Sequence, residues 1–174
     1  MTSSLLEKLP SGERVLVDST VFIYHFVGQS ESCTRFLSRC ESGDVKAYTS
    51  VVVAAEVAHR LMMIEAVAAG LVRPGGVLRR LREKPDVVRK LRLYQEQVER
   101  IPLMGVEVLP LDVRTWLESE RFRSRFGLLM NDSLVAATAD CRGIACLASA
   151  DRDFDRVKPL RRYRPGDLAA SLEA

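Results

Sequence analysis

Four carboxylates stand where apolar runs stop or new helices begin: Asp18, Glu56, Asp132 and Asp151. In Arg14-Val-Leu-Val-Asp18 three aliphatic residues run straight into an acid, and Gly143-Ile-Ala-Cys-Leu-Ala-Ser-Ala-Asp151 repeats the pattern. A continuous aliphatic run reads as a strand buried on both faces. The acid then falls at the strand's C-terminal end, outside which open parallel sheets bind their ligands. Asp18 has a plainer reading as the cap of the next helix. The choice turns on whether other acids reach the same place. Glu56 lies nearly two turns into a helix begun at Ser50, and Asp132 opens Asn131-Asp-Ser-Leu-Val-Ala-Ala-Thr-Ala139. Two unit charges about 4 Å apart repel by about 4 kcal/mol at an effective dielectric of about 20, so acids gathered in one crevice require a cation. Hard oxygen ligands suit Mg²⁺ or Mn²⁺. Such an ion activates water and neutralises phosphate oxygens, which makes metal-dependent hydrolysis of nucleic acid the natural chemistry.

These acids need elements to deliver them. The sequence predicts strands at Val15–Val17, Val45–Tyr48, Gly105–Leu109 and Ile144–Ala148, with an edge strand before Pro165. Helices are expected over Thr20–Val27, Ser32–Ser42, from Ser50 to Gly70, from Asp112 through Glu120 and from Asp132 to Cys141. Pro85 splits the region 71–104 into a short helix and a longer one over Asp86–Arg100, a helical hairpin; Arg121 to Met130 reads as a basic loop. Strands alternating with helices imply an α/β fold, a three-layer α/β/α sandwich with a mostly parallel central sheet. Right-handed crossovers then align the strands' C-terminal ends along one edge. Residues 1–13, of mixed character, read as an N-terminal extension, and 14–174 as a single domain.

At 174 residues the chain fits one domain, and 47% hydrophobic with 28% charged residues is ordinary for a soluble protein. No apolar run is long enough to span a membrane and Met1-Thr-Ser-Ser-Leu5 lacks the pattern of a signal peptide, so a cytoplasmic location is expected. Cys33, Cys40, Cys141 and Cys146 match no zinc or redox spacing and read as buried free thiols; with His25 and His59 as the two histidines, a zinc site is poorly supplied. The net charge is +3, but 73–100 holds nine basic and four acidic residues, a local +5 that leaves −2 elsewhere. Arg79, Arg80, Arg82, Arg89 and Arg92 there, with Arg121, Arg123 and Arg125, are candidate contacts to a phosphate backbone, the alternative being a solvated helix surface. No P-loop, dinucleotide fingerprint or nucleophile elbow occurs.

Val17-Asp-Ser-Thr20, Ser50 through Glu56, Asn131 through Ala139 and Ser149-Ala-Asp-Arg-Asp-Phe154, in that order, resemble the motifs of the PIN-domain ribonucleases. Within that family the chain looks like the VapC-type toxins of toxin–antitoxin pairs. The resemblance covers about residues 14–157. It implies a metal cluster of Asp18, Glu56, Asp132 and Asp151, with Thr20 and Ser149 as polar support and RNA as the substrate. Asp153 is a candidate addition, its other reading being a turn or cap ahead of Phe154; Asn131 reads as a cap, and Ser133 replaces the family's usual alanine. The segment 62–105 is longer than in compact members. It could serve as a homodimer or antitoxin platform, or mark an RNA-processing enzyme of the same fold. A non-catalytic RNA-binding scaffold and a single-strand DNA or flap nuclease are the other readings. Phe22, Phe26, Phe36 and Leu37 are candidates for partner contact, with core packing the better account of most.

Overall fold

A computed structural model describes residues 4–168; Met1–Ser3 of the expected extension and the last six residues lie outside the described residues. Six strands form one sheet: β1 (Ser4–Leu5), β2 (Arg14–Val17), β3 (Lys46–Ser50), β4 (Val106–Leu109), β5 (Cys146–Ala148) and β6 (Arg161–Arg164). Their order is β1-β6-β5-β2-β3-β4 and every pairing is parallel. Eight helices flank the sheet among the described residues: α1 (Ser19–Phe26), α2 (Glu31–Glu41), α3 (Val51–Ala68), α4 (Val77–Glu83), α5 (Pro85–Val88), α6 (Leu93–Glu99), α7 (Val113–Phe126) and α8 (Met130–Cys141). The result is the three-layer sandwich expected from the strand and helix alternation. Val15, Leu16 and Val17 are fully buried, as are Cys146, Leu147 and Ala148, which is why both runs are apolar without a break. Because β2 lies between β5 and β3, the chain leaves it in one direction and returns on its other side. That reversal opens a crevice beyond the ends of β2 and β5.

Four local readings change. The segment read as an extension supplies β1, which pairs with β6, and buries Leu6 and Leu9 in the main core. β6 is therefore an inner strand and β4 an edge. The helix expected over Asp86–Arg100 is two, α5 and α6, since residues 89–92 leave the helical path. Glu65 of α3 accounts for the second start, its carboxylate accepting the backbone N–H groups of Arg92 and Tyr94, both at 2.9 Å. The basic loop at 121–130 is helix as far as Phe126: the repeat Phe122, Phe126 continues the buried stripe of α7, and Gly127, at φ 66°, ends it. Phe22, Phe36 and Leu37 are core residues and Phe26 packs against that core. Cys33, Cys40 and Cys146 are buried free thiols, whereas Cys141 is an exposed one.

A second, smaller apolar cluster joins Ala66, Val72, Leu81 and Leu91. It fastens the basic segment to the C-terminal half of α3. Ala66 is ten residues beyond Glu56, about 15 Å along the helix axis.

Candidate metal centre

The backbone N–H of Asp18 donates to Ala148 O at 3.0 Å, so the β2–β5 pairing carries Asp18 to the sheet's C-terminal edge. Its side chain is 4% exposed and fully engaged on one oxygen: Oδ2 accepts from Ser149 Oγ at 2.7 Å and from Thr20 Oγ1 at 2.8 Å. It also caps α1, through a long bond from the Thr20 N–H at 3.5 Å, so the plainer reading of this acid holds beside the chemical one. Thr20 and Ser149 bind the loop as well, accepting the N–H groups of Ala150 and Asp151, each at 3.0 Å. The two supporting hydroxyls thus tie the end of β2 to the end of β5. Burial pushes the Asp18 carboxyl above the usual carboxylate range, against the hydrogen bonds of Ser149 and Thr20.

Asp151 follows β5 and caps a 3-10 turn over Arg152–Arg156, its Oδ1 accepting the Asp153 N–H at 2.8 Å. That turn swings Asp153 back toward α8. Asp132, in the first turn of α8, meets both: Asp132, Asp151 and Asp153 each offer a carboxylate oxygen, and the three lie within 4.8 Å of one another. Asp153 therefore stands in the cluster, beyond a turn role alone. Burial first, then the charges of Asp151, Asp18, Glu56 and Asp153, push the Asp132 carboxyl up to about 7. Glu56 completes the crevice from α3, its carboxyl raised by burial and by Asp18. Asn131 does not cap α8, which starts after Leu129; its amide Nδ2 donates to Glu56 Oε2 at 3.4 Å and joins α8 to α3.

Two arginines that spacing alone did not assign to this site shape it. Arg156 forms an ion pair with Asp153, three residues back, and donates from Nε to the Asp153 carbonyl at 3.3 Å. Arg123 turns inward from α7. Its Nη1 donates to Ser119 Oγ at 2.7 Å and Ser133 Oγ at 2.9 Å, both fully buried hydroxyls, and meets Met130 Sδ at 3.4 Å. It has no carboxylate partner among the described residues. Ser133, where the resembled family carries alanine, is what lets Arg123 hold the turn that bears Asp132. The signal for Arg156 was the Asp153-x-x-Arg156 spacing, which brings the pair together within one turn.

Asp132, Asp151 and Asp153 fit a divalent cation by the chemistry of the donor set, with Asp18 and Glu56 in the same crevice. All are hard oxygens; burial raises Asp18, Glu56 and Asp132, and neighbouring acids push Glu56 and Asp132 up further. The candidate RNA contacts are spread. Arg121 and Arg125 are on α7, Arg121 paired with Asp140 and Glu118; Arg79 and Arg82 are on α4, and Arg89 and Arg92 follow α5. Arg80 Nη1 binds the carbonyls of Arg73, Pro74 and Gly75.

The profile of the PIN domain family matches residues 15–159. No curated protein matches the chain. Among solved structures it is similar to VapBC2 from Rickettsia felis bound to a DNA fragment from their promoter, with 16% identity, 87% of this chain and 98% of that one covered and a TM-score of 0.59. A toxin–antitoxin complex from Klebsiella pneumoniae gives 17%, 88%, 99% and 0.55. VapBC-1 from nontypeable Haemophilus influenzae gives 15%, 87%, 98% and 0.53. At these identities the likeness speaks for the fold.

Proposed function

The chain belongs to the PIN domain family, and from that premise we propose that it is a Mg²⁺- or Mn²⁺-dependent endoribonuclease, the toxin of a toxin–antitoxin pair. The single observation carrying this is the meeting of Asp132, Asp151 and Asp153 within 4.8 Å at the crevice that Asp18 and Glu56 enter from other elements. In this reading Asp18, Asp132 and Asp151 hold the ion, Asp153 adds a ligand, and Glu56 is placed to take a proton from the attacking water. A cation held there would neutralise charge on the scissile phosphate and favour attack by water. Thr20 and Ser149 keep Asp18 aimed, and Asn131 does the same for Glu56. Arg121 and Arg125 on α7, with Arg79, Arg82, Arg89 and Arg92, supply a positive field for the RNA backbone. Arg80 and Arg123, each bonded within the protein, shape the elements that carry these contacts.

The partner proposed is an antitoxin protein, with a second copy of the chain as a further associate; Val113, Trp116 and Leu117 make an exposed apolar patch on α7 that suits either. The experiment compares wild type with Asp18→Asn and Asp132→Asn on single-stranded RNA, single-stranded DNA and flap substrates with added Mg²⁺ or Mn²⁺. RNA cleavage that both variants lose, with the fold intact by circular dichroism, is the expected outcome. Equal cleavage by variant and wild type would reject the site. Preferred cleavage of DNA would make it a DNA nuclease, and metal binding without cleavage of any strand would make it a scaffold.

A further inference from the structure

We propose that the cleft between the end of α7 and the segment Val157–Leu160 is a nucleotide-binding subsite, which holds one base of the RNA strand at a distance from the scissile bond. It rests on the nuclease reading above. The cleft has a cavity of about 180 Å³ whose walls include Phe126, Ile144, Val157 and Leu160. An apolar slot of this kind favours a flat ring over a bare phosphate, which would gain nothing from the walls. Its rim is cationic. Arg121 and Arg125 lie over the Phe122 and Phe126 rings at 4.9 and 5.2 Å, and Lys158 also lines the cleft. Arg121 is already neutralised by Asp140 and Glu118. Arg125 and Lys158 have no carboxylate partner among the described residues, so the cleft keeps a positive rim around an apolar interior. A flat ring joined to a phosphate answers both features, and a nucleotide is such a group.

Arg156 links this cleft to the acids. One terminal nitrogen pairs with Asp153, and the other stands against Gly127, 3.8 Å from where a Cβ would be. Gly127 follows Phe126 directly, so a single guanidinium bridges the ground between the carboxylate cluster and the cleft. A strand with its scissile phosphate at Asp132 and Asp151 would pass Arg156 and run on toward the starts of β5 and β6, where Ile144, Ala145 and Leu160 line the cleft, and present a base farther along the strand.

The test uses full-length protein with Lys158→Glu on the rim, Ala145→Trp to plug the cavity, and Lys8→Glu as a control for overall charge. Binding is read on a short oligoribonucleotide in EDTA by fluorescence anisotropy, and on AMP and UMP by NMR shifts of the Phe126 ring. The two cleft variants should weaken oligonucleotide binding and raise KM by about tenfold, the size of one lost base stack, with kcat and Mn²⁺ affinity within twofold of wild type. Lys8→Glu should change neither. Unaltered binding in Ala145→Trp, an equal loss in Lys8→Glu, or an acidic peptide shifting the Phe126 ring where nucleotides do not would each overturn the subsite. Nucleotide binding without RNA cleavage by the wild type would reject the nuclease reading and leave the subsite standing.

Discussion

Asp132 bears the clearest pH signature. Its carboxyl is pushed from 3.8 up to about 7, by burial first and then by the neighbouring acids. Between those two values the folded chain holds a proton that the unfolded chain has released, so stability falls as pH rises through that window. The metal-free protein should therefore melt lower at about pH 7.5 than at about pH 5, by on the order of a few degrees. Mn²⁺ should recover the loss, with apparent affinity that climbs as pH passes about 7 because the ion competes with the proton. Asp132→Asn should flatten the curve; a melting temperature indifferent to pH in the wild type would contradict the shift. Ser149→Ala removes a 2.7 Å donor from the buried Asp18 carboxylate. Its expected cost is about 1–3 kcal/mol, measured by urea unfolding. Asp18 and Asp151 were legible in the sequence because each interrupts an apolar run. Asp153 was legible only as one of two readings, since a carboxylate two residues past another is as common in turns as in metal sites; the bond from its own backbone N–H to the Asp151 carboxylate is what folds it inward.

At the scale of elements, the first turn of α8 depends on α7. Arg123→Met deletes the bonds to Ser119 and Ser133 and should lower stability by about 1–3 kcal/mol. Mn²⁺ affinity should fall with it, because Asp132 loses its fixed position. Isothermal titration separates the two effects: a lower melting temperature with unchanged Mn²⁺ affinity would limit Arg123 to packing. Gly105 links the 3-10 turn over Pro102–Met104 to β4 at φ 70°, and a Cβ there would sit 2.4 Å from the carbonyl oxygen of Cys40. Gly105→Ala combines a left-handed backbone with a backbone clash and should cost more than about 2 kcal/mol, again by urea unfolding. Most strand and helix identities could be read from pattern alone. The length of α7 could not: Arg121, Arg123 and Arg125 look like a solvated loop until their partners Asp140 and Ser133 arrive from α8.

For the whole molecule, the sheet and the basic segment are held by separate apolar clusters that share Tyr94 at their junction. Leu81→Ala should empty part of the smaller cluster, at a cost of about 2 kcal/mol or more, and raise hydrogen exchange across 71–92. Protection around Asp18 and Asp151 should persist; its loss would show the two clusters to be one cooperative unit. The position of β1 could not be read in advance, since two residues give no periodicity and its partner lies at the other end of the sequence. β6 sits between β1 and β5, and its buried Arg162 binds Asp155 at 2.7 Å and the carbonyls of Ser149 and Ala150 at 3.1 and 3.4 Å. The loop that bears Asp151 and Asp153 is thus propped by a residue made only after it. A ribosome must translate past Arg162 before that loop gains this prop.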